Sequence, residues 1–282
     1  MTIIIPREAE YEKTRKIIVN SGADTLHILA DFDKTLTYAK TKDGRPLHSV
    51  ISLLRDRDYI SAEYQKRAKE LFETYHPIEE DPSIPMQKRK EAMKEWWTKH
   101  FDLLISSGLN RKDLERIVKS GEIRLRDGFS ELASLLQDEG IPLIILSANG
   151  IGNVIPMILE REGFLYDNIY IITNLLKFDE QGKAIGVNEP IVHSFNKDET
   201  ELRGHPSYNK IKNRKNVVLL GDSLGDTEML KGLKYESCIK IGFLREGLNE
   251  QDLESYKKAY DVLLDEDSDL SFVNKLVKEI SE

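Results

Sequence analysis

Leu26-His27-Ile28-Leu29-Ala30-Asp31-Phe32-Asp33-Lys34-Thr35 is the stretch that decides the fold. A short apolar run gives way at once to two aspartates. That is the pattern of a buried parallel strand delivering carboxylates at its C-terminal end, where open α/β sheets hold their ligands. Two later stretches repeat it: Ile141-Pro142-Leu143-Ile144-Ile145-Leu146 closes on Ser147, and Val217-Val218-Leu219-Leu220 runs into Gly221-Asp222-Ser223-Leu224-Gly225-Asp226. Three such strands side by side would aim carboxylates and a hydroxyl at one crevice.

Between the first two strands the sequence reads as amphipathic helix over 61–75, 86–107 and 111–119, a helical insert between neighbours of one sheet. From residue 141 onward the chain alternates in the βα manner, with strands expected at 141–146, 169–173, 217–220, 238–241 and 262–264 and helices at 154–162 and 226–231. Gln181-Gly182-Lys183 marks a turn in an antiparallel excursion. The expectation is an α/β fold, a doubly wound parallel sheet, with a helical cap over 41–126 and a core of 1–40 and 127–282.

The 282 residues, 40% of them hydrophobic, suffice for a full core. A net charge of −8 argues against extended nucleic acid, which selects a basic surface, but leaves room for a small phosphorylated ligand held by local cations. The lone Cys238 excludes a disulfide framework and cysteine-based zinc spacing. None of the six histidines has helical His-x-x-x-His spacing, so a zinc site is not expected. The run Ile3-Ile4-Ile5 is too short for a signal peptide, and no stretch approaches the roughly 20 apolar residues of a membrane span. A cytoplasmic protein without membrane contact is expected, of unspecified oligomeric state.

A phosphate monoester needs a cation on its oxygens, a fixed nucleophile and an acid at the leaving oxygen. Asp31 and Asp33 lie two apart, so an extended chain turns both to one side. The expected roles are Asp31 as the nucleophile that becomes an aspartyl-phosphate, and Asp33 as the acid and then the base. Asp222, Asp31 and the backbone carbonyl of Asp33 form an all-oxygen set suited to Mg²⁺. Asp226, one helical turn from Asp222, would hold that set in place, and Ser147 would donate to a phosphoryl oxygen. An isolated Asp-x-Asp after a strand is commonly a turn or a helix N-cap. The three junctions in this order are much harder to reach by accident.

At these residues the chain resembles the haloacid dehalogenase superfamily: Asp31-Phe32-Asp33-Lys34-Thr35 matches its first motif, Ser147 its second and Gly221-Asp222-Ser223-Leu224-Gly225-Asp226 its fourth. Over nearly the whole chain it resembles the cytosolic 5′-nucleotidase III (pyrimidine 5′-nucleotidase) family, through Ile78-Glu79-Glu80-Asp81-Pro82, Glu95-Trp96-Trp97-Thr98-Lys99 and His193-Ser194-Phe195-Asn196-Lys197 as well. The resemblance implies that Lys197 binds phosphate, that Glu79 and Trp97 meet the nucleobase, and that His48 is a further cap contact. The second motif departs from the family's usual Ser-Ala-Gly-Ile-Gly-Asp: it reads Ser147-Ala148-Asn149-Gly150-Ile151-Gly152-Asn153, with one residue inserted. Its phosphate contacts are therefore assigned only to Ser147 and Ala148. Trp97 stands where pyrimidine-preferring members often carry Tyr, and a larger indole favours a cationic, methylated purine.

The function expected is Mg²⁺-dependent hydrolysis of a nucleoside 5′-monophosphate. The rivals are a phosphatase of the same fold acting on another small ester, a nucleoside phosphotransferase, and a nucleotide-binding module without catalysis.

Overall fold

The computed structural model describes residues 2–40, 43–46, 49–81, 83–197, 205 and 208–282. In chain order the elements are β1 (Ile3–Ile4), α1 (Glu8–Ser21), β2 (Leu26–Ala30), α2 (Val50–Asp56), α3 (Ala62–Glu80), α4 (Met86–Ser106), α5 (Arg111–Ser120), α6 (Phe129–Asp138), β3 (Leu143–Leu146), α7 (Val154–Glu162), β4 (Ile169–Ile172), β5 (Leu176–Phe178), β6 (Ala184–Val187), α8 (Tyr208–Ile211), β7 (Asn216–Gly221), β8 (Ser237–Phe243), α9 (Glu250–Ala259), β9 (Val262–Leu264) and α10 (Ser271–Ser281). The main sheet runs β1-β9-β8-β7-β2-β3-β4 and is parallel except at β1, which pairs antiparallel with β9.

Every residue of β2, β3, β7 and β9 is buried, as expected of parallel strands covered by helices on both faces. Their side chains alternate between two cores. Ile28, Ala30, Leu143, Ile145, Val218 and Leu220 face one, with Leu132, Leu136, Val273 and Leu276 from α6 and α10. Leu29, Ile144, Leu146, Val217 and Leu219 face the other, with Tyr256 and Tyr260 at and just beyond the end of α9. Burial at about 25 cal/mol per Å² of apolar surface makes this period-two division the main determinant of register.

Between β2 and β3 lie α2 to α6, of which α2 to α5 form the helical insert. The chain leaves and returns side by side: Thr37 and Leu125 form an antiparallel bridge, Tyr38 N donates to Arg124 O at 3.0 Å and Arg126 N to Leu36 O at 2.9 Å. Helices α3 and α4 are joined by a ring stack, Tyr75 on Trp96 at 6.0 Å, and by a hydrogen bond of 3.0 Å between Tyr64 Oη and His100 Nε2. The β5–β6 hairpin, turning at the expected Gln181-Gly182-Lys183, braces the connection between α4 and α5 through Ala184 N to Leu109 O and Arg111 N to Gly182 O, both 2.8 Å.

Three local expectations are corrected. The helix expected to stop near residue 75 continues to Glu80 through Pro77; proline removes one N–H near the C-terminal end, and the final turn still closes by Asp81 N on Pro77 O at 3.2 Å. The segment expected as a helix over 226–231 is a 3₁₀ helix, Leu224–Leu230. Ile3 and Ile4, read only as a short apolar run, form the antiparallel edge strand.

Candidate active site

Asp31, Ser147 and Asp222 follow the C-terminal ends of β2, β3 and β7, and β2 is the strand between the other two. Asp31 N still donates to Leu220 O and Ser147 N to Ile172 O, so both residues leave the sheet at the same level. The next turn folds back on Phe32 O, which accepts from Thr35, Leu36 and Thr37 N. Lys34 takes a left-handed conformation there, with φ 60°.

Lys197 enters from the loop after the hairpin. Its Nζ donates to Asp31 Oδ1 and lies 3.2 Å from Asp226 Oδ1. Asp226 Oδ2 accepts from Asp222 N at 3.1 Å, Ser223 N at 2.9 Å and Ser223 Oγ at 2.8 Å. Asp226 Oδ2 is thereby taken up by donors of its own loop, while Oδ1 meets Lys197. Gly221 permits this: a Cβ there would stand 2.6 Å from Asp226 Cβ and 2.8 Å from Tyr260 Oη. The loop is also held from α9, by Tyr256 Oη on Asp222 O at 2.9 Å, and by Tyr260 Oη on Ser223 O.

The carboxylates of Asp31, Asp222 and Asp226 lie within 4.8 Å of one another, and all three residues are buried. Burial pushes the Asp31 carboxyl well up, and Asp226, Asp222 and Asp33 push the same way against the pull of Lys197. Asp222 is raised by burial and by Asp226. Burial opposes the charge of Lys197, yet Asp31 and Asp226 hold its ammonium above the ordinary value. Against these carboxylates stand Lys197 and the part-exposed Arg245, whose Nε lies 3.3 Å from Asp222 Oδ2. Hard oxygens with excess negative charge are the donor set of a small divalent cation.

The Asp33 carboxyl has two donors of its own. Oδ1 accepts from Val50 N, the first amide of α2, at 2.8 Å, and Oδ2 accepts from Asn149 Nδ2 at 3.0 Å. Burial raises its carboxyl, opposed by those two hydrogen bonds and by Lys197 and Lys34. Ser147 is buried, and its Oγ accepts from Asn149 N at 3.2 Å; Ala148 beside it is half-buried.

The helical insert meets this crevice at two places. Trp97, half-buried on α4, lies on the loop after Ser147 so closely that a Cβ on Gly150 would come within 2.4 Å of its ring. Trp96 lies between Tyr75 and Trp97, with ring centroids 6.0 and 6.1 Å away, and Trp97 packs in turn on His100 and Phe101 at 5.8 and 5.7 Å while also meeting the loop. Glu79, in the last turn of α3, pairs with His76 Nδ1 at 3.4 Å. Burial opposes its charge, but His76 and Ser194 hold its carboxyl below the usual range. Nearby, Arg89 of α4 sits 4.4 Å over the ring of Phe195, in the loop that carries Lys197, and Arg89 Nη2 donates to Glu79 O. His48 lies outside the described residues.

Sequence reasoning missed Arg126. It is 1% exposed and, among the described residues, donates only to carbonyls, those of Lys34 (2.5 Å), Thr35 (2.8 Å), Glu266 (2.7 Å) and Ser268 (2.6 Å), while lying 3.9 Å over Phe243. It ties the turn after Asp33 to the loop before α10. An arginine that bonds only backbone oxygens leaves no side-chain pattern in sequence. Asn149 lies in the second-motif loop that is one residue longer than the family's, and its partner Asp33 stands 116 residues away in sequence.

The family model for "Pyrimidine 5'-nucleotidase (UMPH-1)" matches residues 34–281. A 7-methylguanosine phosphate-specific 5′-nucleotidase of Gallus gallus is 33% identical over 94% of this chain and 91% of its own. The crystal structure of cytosolic 5′-nucleotidase IIIB bound to cytidine superposes with a TM-score of 0.87 at 28% identity, covering 99% of this chain and 93% of that one. Phosphoserine phosphatase, at 20% identity and a TM-score of 0.52 over 89% of this chain and 98% of its own, shares the fold. On the family match and these likenesses, the chain belongs to the pyrimidine 5′-nucleotidase (UMPH-1) family, phosphoric monoester hydrolases of the haloacid dehalogenase-like fold.

Proposed function

We propose that the chain hydrolyses nucleoside 5′-monophosphates, of 7-methylguanosine or a pyrimidine nucleoside, to nucleoside and phosphate through an aspartyl-phosphate on Asp31, with Mg²⁺ as cofactor. The observation that carries the reading is Lys197 seated on Asp31, with Ser147 and Asp222 at the ends of the two flanking strands. Asp31 attacks phosphorus as the bond to O5′ breaks, and Asp33 gives its proton to O5′. Asp33 then takes a proton from the water that attacks the aspartyl-phosphate, releasing phosphate and restoring Asp31. Lys197, the Ser147 hydroxyl and the Ala148 amide hold the phosphoryl oxygens. Mg²⁺ held by Asp31, Asp222 and the backbone carbonyl of Asp33 would neutralise charge on the phosphoryl group.

Residues 41–126 serve in this account as a cap over a core of 1–40 and 127–282, an arrangement supported by the paired linkers at Thr37 and Leu125. Trp97 stacks on the base and an ionised Glu79 accepts from it, a pairing that suits a cationic 7-methylated ring above all. A cytosolic setting fits the name of the superposed nucleotidase, and among the described residues no helix is long and apolar enough to cross a membrane.

The test is Asp31→Asn, which keeps the shape and removes the nucleophile. It should lose more than about a hundredfold in turnover while unfolding normally. Retained activity above that level contradicts the assignment, and transfer of phosphate to an added nucleoside in place of water would favour a phosphotransferase.

A further inference from the structure

Asn149 is 3% exposed, and each of its polar groups is engaged. Its N donates to Ser147 Oγ at 3.2 Å, its Oδ1 accepts from Ile151 N at 2.9 Å, and its O accepts from Asn174 Nδ2 at 3.2 Å. Asn174 is itself fixed, donating to Val192 O and accepting from Val192 N, both at 2.8 Å. Because Oδ1 is committed to an N–H, the orientation of the amide is decided: only Nδ2 can face Asp33, 3.0 Å away.

We propose that Asn149 is a positioning residue for Asp33, fixing its carboxyl for proton transfer to the leaving oxygen; this rests on the acid role given to Asp33 above. A carboxyl on a single methylene turns about two torsions, and the Val50 amide on Oδ1 alone leaves it free to swing. A second donor on the opposite oxygen fixes the plane. Both donors are compatible with the protonated acid, since a hydroxyl oxygen keeps a lone pair. As Asp33 gives up its proton to O5′ it becomes a carboxylate, and both hydrogen bonds become charge-assisted and stronger. They therefore favour the transition state over the ground state. The same residue orients Ser147: by donating to Oγ it leaves the hydroxyl hydrogen to point elsewhere.

The experiment separates substrates by leaving group. A nucleoside leaves as a poor alkoxide and needs the acid; p-nitrophenolate does not. In Asn149→Ser the hydroxyl can still accept from Ile151 N, two residues on, but cannot reach Asp33. Turnover of 7-methylguanosine 5′-monophosphate should fall about ten- to a hundredfold, a part of what a general acid supplies, with KM within about threefold. The burst of p-nitrophenolate from p-nitrophenyl phosphate should change less than about threefold. Asp33→Asn should show the same selectivity, larger, and Asn149→Ser should add little in that background. Equal loss on both substrates, or no loss on either, overturns the proposal when Asp33→Asn is selective. If Asp33→Asn slows both substrates alike, the acid role fails and takes the proposal with it. Should Asn149→Ser not fold, Asn149→Asp, which keeps the size and the acceptor for Ile151 but offers Asp33 no amide donor, must show the same selectivity.

Discussion

Lys197 Nζ stands 3.2 Å from Asp226 Oδ1 while donating to Asp31, so one ammonium joins the carboxyl that organises the fourth motif to the proposed nucleophile. Both carboxylates are buried, and Lys197 is the cation between them. Lys197→Met keeps the stem and removes the charge. Uncompensated buried carboxylates should cost about 3–5 kcal/mol of stability at neutral pH, read as a lower urea midpoint, together with a large loss of kcat/KM. A variant with unchanged stability and activity would mean that this cation holds nothing together.

Divalent metal should stabilise the protein as well as activate it. Burial, with neighbouring carboxylates adding to it, raises the carboxyls of Asp31 and Asp222, and a cation bound between them offsets both, so saturating Mg²⁺ should raise the melting temperature and chelator should lower it. Asp222→Asn should weaken both effects. Ca²⁺ should stabilise yet inhibit, because its looser, larger coordination misaligns the nucleophile. Full activity in excess chelator would remove the metal from the mechanism.

His27, within β2, has no hydrogen-bond partner at either ring nitrogen among the described residues, and burial with nearby Arg214 lowers it from 6.5 to about 4. The folded state therefore keeps it neutral while the unfolded chain takes up a proton below pH 6.5. The stability tied to that neutral ring is present above pH 6.5 and is lost as pH falls toward 4, by about 1.4 kcal/mol per unit. His27→Leu should abolish its share of this acid limb, gaining on the wild type between pH 6.5 and 4.5 in denaturant titrations. Parallel curves for the two proteins would contradict it. His100, lowered to about 4 chiefly by burial, should keep part of the acid sensitivity in the variant.

The strand and motif junctions at Asp31, Ser147 and Asp222 were legible because buried parallel strands read as unbroken apolar runs and their chemistry follows at once in sequence. The helical insert was legible by its period. What sequence left hidden depends on chain returning from afar: Arg126 on the Lys34 and Thr35 carbonyls, and Asn149 on Asp33. The edge strand at Ile3 and Ile4 is too short for a periodic signal. Family resemblance selected Lys197, Glu79 and Trp97, and spacing alone could not have chosen Lys197 among so many lysines.

Trp97→Ala tests the base platform. Losing one base–aromatic stack should lower kcat/KM for nucleotides by about 1–3 kcal/mol. A small ester without a base should hardly respond. Equal losses on both would make the residue a water-excluding wall, and Glu79→Gln should follow Trp97→Ala in sparing the simple ester.

The most direct measurement is phosphate release with Mg²⁺ across 7-methylguanosine, cytidine, uridine, adenosine and guanosine 5′-monophosphates, set against a sugar phosphate and phosphoserine. The account predicts that kcat/KM for 7-methylguanosine or pyrimidine monophosphates exceeds that for the esters without a base by at least about tenfold, the size of one stacking contact. Equal or greater efficiency on phosphoserine or the sugar phosphate would contradict it.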